Sequence, residues 1–138
     1  MADKKLEISV ITPDATEHDK YKFQGQADMI ILRCRTGDLG ILPGRVACSA
    51  ILAEGPLRIY DETDVKKIAI MGGVFHFEND TLTVITQKAF LPGEIDITST
   101  EIQASELEAR LQQETNVAIK DKTRSELKRC KILLDVAT

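Results

Sequence analysis

The side chains best suited to acid–base chemistry are few and far apart in this sequence. His18 lies in a polar segment, and His76 lies between two phenylalanines in a strand-like run. A histidine beside a serine, cysteine or carboxylate could act as a general base, but no G-x-S-x-G motif accompanies either one. A solvent-facing strand histidine is the simpler interpretation of His76, and we expect no catalytic residues.

The three cysteines, Cys34, Cys48 and Cys130, have neither the number nor the spacing of a disulfide or zinc framework. No C-x-x-C pair and no H-x-x-x-H pair occurs. We therefore expect buried free thiols, no metal and no cofactor.

Residues 37–45 read GDLGILPGR, which resembles a phosphate-binding loop only in its glycines. The Lys-Ser/Thr ending of a P-loop is absent, and no helical pattern follows that could receive a pyrophosphate. The segment instead places three bulky apolar residues in what we predict to be a tight loop: Leu39, Ile41 and Leu42. They belong either to the core or to a partner interface.

Composition limits the classes of partner. The 138 residues carry a net charge of −4, no tryptophan and 4% aromatic residues, which gives little support to nucleic-acid binding. No apolar run reaches the roughly 20 residues that span a bilayer, and residues 1–9 resemble neither a secretory signal nor a transit peptide. We therefore expect membrane association only through partner subunits.

Residues 6–92 have the pattern of short strands separated by turns. Leu6, Ile8 and Val10 alternate with polar residues, as in a half-buried strand. Gly72 and Gly73 indicate a bulge or a close backbone approach. Eight to ten such strands, with no helical pattern between them, predict an antiparallel sandwich or barrel.

The pattern becomes helical after Pro92. Thr98 and Glu101 have the spacing of a capping box, which predicts a first helix over residues 101–114. A second helix over residues 117–134 would be capped by Thr115 or Asn116. It presents one narrow stripe: Ile119, Thr123, Leu127, Cys130 and Leu134. A short connection implies an antiparallel hairpin, acidic in its first helix and basic in its second, which we expect to be marginally stable and able to open.

Four segments together point to a family. They are ITPD near Ile11, GDLGILPG at residues 37–44, MGGVFHF at residues 71–77 and NDTLTVIT at residues 79–86. In order and spacing they resemble the epsilon subunit of the F-type ATP synthase, of bacterial or chloroplast type. The resemblance covers essentially the whole chain and is strongest over residues 6–95.

The resemblance implies a fold and a function. The fold is an N-terminal antiparallel β-sandwich of about ten strands in residues 1–93 and a regulatory two-helix hairpin in residues 94–138. The function is that of a non-catalytic rotor subunit of the central stalk, which couples hydrogen-ion or other ion transport to ATP synthesis. Its partners are the gamma subunit, the c-ring and the alpha/beta catalytic head. Its location is the cytoplasmic face of a bacterial cell membrane or the stromal face of a thylakoid.

The resemblance also implies site residues. Asp38, Leu39, Ile41, Leu42 and Arg45 occupy the segment that faces the c-ring. The basic residues of the second helix would contact the beta subunit when the hairpin extends and blocks ATP hydrolysis: Lys120, Lys122, Arg124, Lys128, Arg129 and Lys131. The alternative is that these residues form a solvated face that balances the acidic first helix.

A nucleotide-binding motif of the family is incomplete in this chain. Ile95 and Asp96 match its first two positions, but Ser99 and Thr100 replace an Arg-Ala pair. A hydroxyl cannot supply the phosphate-facing charge of a guanidinium, which argues against ATP binding here. The competing function is a free-standing β-sandwich sensor whose helical hairpin closes on a small molecule.

Overall fold

The computed structural model describes residues 4–13 and 21–138. His18 lies outside the described residues. Eight strands are followed by a single-turn 3-10 helix at Pro92–Glu94 and two α-helices. Their bounds are β1 (Leu6–Ile11), β2 (Phe23–Ala27), β3 (Met29–Cys34), β4 (Gly37–Ile41), β5 (Cys48–Asp61), β6 (Asp64–Glu78), β7 (Thr81–Ile85), β8 (Ala89–Phe90), α1 (Ile97–Gln113) and α2 (Val117–Ala137).

The predicted sandwich is confirmed, but the described part of the chain has eight strands instead of ten. The difference comes from β5 and β6, which have 14 and 15 residues and form one long hairpin. Each of them passes from one layer of the sandwich to the other, so each contributes a strand to both layers. When strands are counted from the turn signals in the sequence, each of these long strands is counted as two.

We name the two layers by their strands. The front layer contains β2, β1, β7, the C-terminal half of β6 and the N-terminal half of β5. The back layer contains β4, β3, the C-terminal half of β5, the N-terminal half of β6 and β8. The pairing is antiparallel except between β1 and β7, which run parallel, a departure from the all-antiparallel expectation.

The core lies between the layers. Leu6, Ile8 and Val10 are fully buried, as their alternation predicted, and pack with Phe75 and Phe77 of β6. The alternation works because successive side chains of a strand point to opposite faces of the sheet, so one set fills the core while the other remains outside.

The glycine pair of β6 lies where the long hairpin changes layers. Gly72 and Gly73 have φ of +80° and +119°, values that favour glycine. A Cβ on Gly73 would lie 2.2 Å from the carbonyl oxygen of Ile85. The predicted close backbone approach is therefore confirmed.

The helical hairpin is confirmed, with a different start. Asp96 caps α1 by accepting a hydrogen bond from the Ser99 backbone N–H, so the helix begins before the predicted cap, Thr98. Asn116 caps α2, as predicted. α2 packs against both α1 and the back layer, and the division of the chain at residue 93 into separate domains stays a prediction.

Candidate functional site

Residues 37–45 form an edge strand followed by a short loop, where the sequence predicted only a tight loop. Gly37–Ile41 is β4, which pairs with β3 across a two-residue turn. On this hairpin the Arg33 guanidinium donates to the Asp38 carboxylate over 3.1 Å, and both side chains are partly exposed. Asp38 is therefore at the surface, but it already has a basic partner within the chain.

The three apolar residues of this segment have different surroundings. Ile41 is fully buried and Leu39 is half-buried against the core, because both point to the inner face of β4. Leu42 follows the end of the strand and is 56% exposed, and Val46 is 80% exposed. Ile41 thus lies beneath any surface that a partner could touch, and Leu42 and Val46 form the exposed apolar part of the segment.

Arg45 lies away from Asp38, at the opposite end of β4. Asp38 is the second residue of β4 and lies three residues before its end at Ile41, a distance of about 10 Å at roughly 3.3 Å per residue. Arg45 borders a groove beside the β6–β7 turn, where Asp80 accepts a hydrogen bond from the Gly44 backbone N–H over 2.8 Å. The two charged residues predicted to meet the ring therefore belong to two places on the surface.

The outer face of the front layer carries a row of exposed apolar side chains that the sequence analysis did not single out. Ile51, Val74 and Ile85 are 52%, 45% and 51% exposed, and they are direct neighbours across β5, β6 and β7. All three are β-branched residues at outward positions of strands, and this pattern in the sequence could have identified the row. We call them the front apolar row.

His76 lies next to the front apolar row, as predicted for a solvent-facing strand residue. Its Nδ1 is 2.7 Å from the Ser49 hydroxyl and its Nε2 is 3.3 Å from the Glu78 carboxylate. The three side chains lie on an open, exposed sheet face. Catalysis by such a set needs preorganised donors shielded from water, so we interpret these contacts as surface hydrogen bonds.

The outer face of the back layer is covered by α2. Ile132 and Val136 are buried against Ala69 of β6, with Met71 and Phe90 at the edge of the contact. These two helix residues were not predicted from the sequence, because they lie outside the stripe that faces α1. α2 therefore has two buried faces, of which only one was predicted.

The stripe that faces α1 is confirmed in its centre. Leu127 and Cys130 pack against Leu107 of α1, whereas Ile119 is exposed. Burial raises the pKa of the Cys130 thiol above its usual range. Cys34 is buried as well, Cys48 is half-buried, and all three cysteines are free.

Ion pairs join α2 to the sandwich. Arg129 lies 2.9 Å from Glu54 of β5, and Asp135 lies 3.5 Å from Lys67 and 3.8 Å from Arg58.

The basic residues predicted to contact the beta subunit are consequently not equivalent. Arg129 is paired with Glu54 of the same chain, and Arg124 lies 3.5 Å from Asp121 on its own helix. Lys122, Lys128 and Lys131 are exposed, and Lys120 is half-buried.

The two candidate nucleotide-binding residues have structural roles. Ile95 packs against the cluster of Ala69, Ile132 and Val136, and the Asp96 carboxylate caps α1. A cleft of about 470 Å³ lies between the helices and the sandwich. It is lined by Met71, Gln87, Lys88, Phe90, Gln103, Glu126, Arg129, Cys130 and Leu133. Neither Ile95 nor Asp96 is among these residues.

Within the described residues, no group of three or more His, Cys, Asp or Glu side chains is placed to hold a metal ion. In the same part of the chain, neither helix is long and apolar enough to cross a membrane.

Comparison with known proteins places the chain in a family. The family model of the ATP synthase delta/epsilon chain β-sandwich domain matches residues 5–92, and the chain belongs to this family of ATP synthase subunits.

The curated relatives are more particular. The ATP synthase epsilon chain of Synechococcus sp. (strain CC9311) is 40% identical over 72% of this chain and 70% of its own length. The epsilon chain of Halalkalibacterium halodurans is 31% identical over 96% of both chains. These relatives confirm the expected class, a non-catalytic stalk subunit of an F-type ATP synthase of bacterial or plastid type.

Solved structures agree on the fold. A chain in the Euglena gracilis mitochondrial ATP synthase has a TM-score of 0.72 and 22% identity, with 98% of this chain and 84% of that chain covered. A chain in the central stalk and c-ring of the Tetrahymena thermophila mitochondrial ATP synthase has a TM-score of 0.61 and 18% identity, with both chains fully covered.

Proposed function

We propose that this chain links the c-ring to the gamma subunit in the rotor of an ATP synthase, and that its helical hairpin restrains ATP hydrolysis by the catalytic head. It would act at the cytoplasmic face of a bacterial membrane or the stromal face of a thylakoid, held there by its partner subunits. The observation that supports this role best is the front apolar row. One outer face of the sandwich is covered by α2, and the other presents Ile51, Val74 and Ile85 to solvent.

The front apolar row is the proposed contact with gamma. Aligned β-branched side chains on a flat sheet face gain free energy when a partner removes them from water, at about 25 cal/mol per Å². A charge placed in the centre of such a contact must be buried without a partner, and the few residues that dominate an interface, which cluster near its centre, cost about 2 kcal/mol or more on truncation. Val74 is the central residue of the row.

The test is co-purification from detergent-solubilised membranes through a tag on this chain. Val74→Lys should lose gamma and the subunits that come with it, at least about 30-fold for a 2 kcal/mol cost. Val65→Lys is the matched control, since Val65 has a similar exposure in the same strand but lies near the β5–β6 turn. Equal recovery of gamma with both variants would refute the proposed contact.

The proposed contact with the c-ring uses Asp38, Leu42 and Arg45, which are the exposed members of the five predicted contact residues in this segment. Leu39 and Ile41 support it from below by anchoring β4 to the core. Asp38→Lys reverses a charge at this surface and also repels Arg33, so it should weaken recovery of the c-ring. Unchanged recovery of the ring would count against the contact.

The basic residues of α2 are the proposed contact with the beta subunit. Exposed charge contacts weaken with ionic strength, so inhibition of hydrolysis by this chain should decrease between low and high salt. Inhibition that does not depend on salt would favour the alternative of a solvated face.

The cleft between helices and sandwich is a feature that favours the competing sensor function. A free-standing sensor should come from the soluble fraction without other ATP synthase subunits, so the same co-purification separates the two functions. For nucleotide binding, calorimetry with ATP is the direct test, and we expect no micromolar affinity.

A further inference from the structure

The attachment of α2 to the sandwich combines a small apolar contact with two sets of ion pairs. The buried centre of the apolar contact is Ile132 and Val136 on Ala69, and Met71, Phe90, Ile95 and Leu133 pack around it. Ala69 offers only one methyl group, so the centre of the contact fixes the position of the helix less firmly than interdigitating side chains would. The ion pairs on either side of it therefore contribute to the specificity of docking.

The stronger pair is at Arg129. Its Nε lies 3.1 and 3.2 Å from the two carboxylate oxygens of Glu54, and its Nη2 lies 2.9 Å from Oε1. Two guanidinium nitrogens on one carboxylate form the forked arrangement that makes such pairs directional. Glu54 is also the less exposed partner, and its contact raises the pKa of Arg129 above its usual range.

We propose that Glu54 is a latch that holds the helical hairpin on the sandwich by occupying Arg129, in competition with an acidic surface of the catalytic head. Only the competition with the catalytic head rests on the proposed function. Arg129 exchanges one carboxylate for another when the hairpin opens, so opening does not leave its charge unpaired. Removal of the Glu54 carboxylate makes opening easier and leaves Arg129 available for the partner.

Opening here means that α2 separates from both α1 and the sandwich. It can be measured in the isolated full chain through Cys130, which is buried between the helices and borders the cleft. The rate of its alkylation, resolved by peptide mass spectrometry from Cys34 and Cys48, reports how often the hairpin opens. Glu54→Gln and Arg129→Gln should each raise this rate about threefold to fivefold at low salt, which corresponds to a pair worth somewhat under 1 kcal/mol.

Two controls separate the latch from a general effect of charge on the thiol. Lys128→Gln removes an exposed positive charge from the neighbouring position of α2, and its rate should stay within about 1.5-fold of the native rate, since neighbouring surface charges act weakly. The charge exchange Glu54→Arg with Arg129→Glu should restore the native rate within about twofold, because it rebuilds the pair. A native rate in Glu54→Gln, or an equal increase in Lys128→Gln, would overturn the latch.

ATP hydrolysis by the assembled enzyme tests whether Glu54 and the catalytic head compete for Arg129. Glu54→Gln should strengthen inhibition, and the charge exchange should not, since it turns residue 129 acidic. If Cys130 alkylation rises in Glu54→Gln but hydrolysis does not change, the latch stands and the proposed inhibitory role fails. If Cys130 alkylation does not change, the latch fails whatever the activity shows.

Discussion

Substitution of Gly73 by alanine should be among the most destabilising single changes in this chain. Gly73 has φ of +119°, and a Cβ there would lie 2.2 Å from the Ile85 carbonyl oxygen and 3.0 Å from the Cα of Thr86. Backbone strain of this kind costs about 1–3 kcal/mol for a residue with a Cβ. The overlap requires β7 to move away by about 1 Å to reach an ordinary contact. We expect the free energy of unfolding to fall by about 3–4 kcal/mol.

Two other glycines allow the cost of backbone strain to be separated from the cost of the steric overlap. Gly44 has φ of +87° but no atom within 4 Å of a built Cβ, so Gly44→Ala should cost only the strain, about 1–2 kcal/mol. Gly93 has neither a positive φ nor a close neighbour, and Gly93→Ala should be neutral or stabilising by less than about 1 kcal/mol.

Urea unfolding followed by circular dichroism measures all three variants. If Gly73→Ala costs no more than Gly44→Ala, the backbone approach at Ile85 is looser than described and the reasoning is wrong. If Gly93→Ala is as damaging as the others, the losses do not come from backbone conformation.

Three further changes have defined outcomes. Asn116→Ala removes the acceptor of the Ala118 and Ile119 N–H groups and should cost about 1 kcal/mol of unfolding free energy, whereas an unchanged urea midpoint would mean that the cap is dispensable. Ile132→Ala should cost about 2 kcal/mol by the same assay, and should also speed Cys130 alkylation; a slow, native rate would contradict its role in docking. The pKa of Asp28 is lowered by the Glu62 backbone N–H and then by Lys5, so its stabilisation is present above about pH 4 and is lost as pH falls through its folded pKa. Asp28→Asn should therefore flatten the acid limb of the stability curve, and an unchanged limb would refute this.

The elements that could be predicted from the sequence are those fixed by local chemistry. The alternation of Leu6, Ile8 and Val10 identifies a strand because one face must be buried. Gly73 indicates a close approach because glycine alone tolerates it, and Asn116 indicates a helix start because its side chain can accept the first free N–H groups.

Most of the features that were not predicted depend on residues distant in sequence. The change of layer within β5 and β6 needs the pairing of the whole hairpin. The cap of α1 was missed for a local reason, because Asp96 accepts a hydrogen bond from the Ser99 N–H three positions later, whereas the prediction rested on the spacing of Thr98 and Glu101. Ile132 and Val136 become buried only because Ala69 lies opposite them.

The candidate partner surfaces also depend on residues that are distant in sequence. The three apolar residues 39, 41 and 42 could not be divided between core and surface until β4 was placed at the edge of the back layer. Arg129 reads as one of six similar basic residues in the sequence, and only the fold brings it to Glu54, which is 75 positions earlier.

The long hairpin of β5 and β6 has a mechanical consequence for a subunit of a rotating central stalk. In a sandwich of separate strands, a sideways load on one layer reaches the other through side-chain contacts, which can slip. Here two covalent backbones cross between the layers and remain hydrogen-bonded to each other on both sides of the crossing. A load applied to the front layer therefore reaches the back layer through two continuous backbones as well as through side-chain contacts.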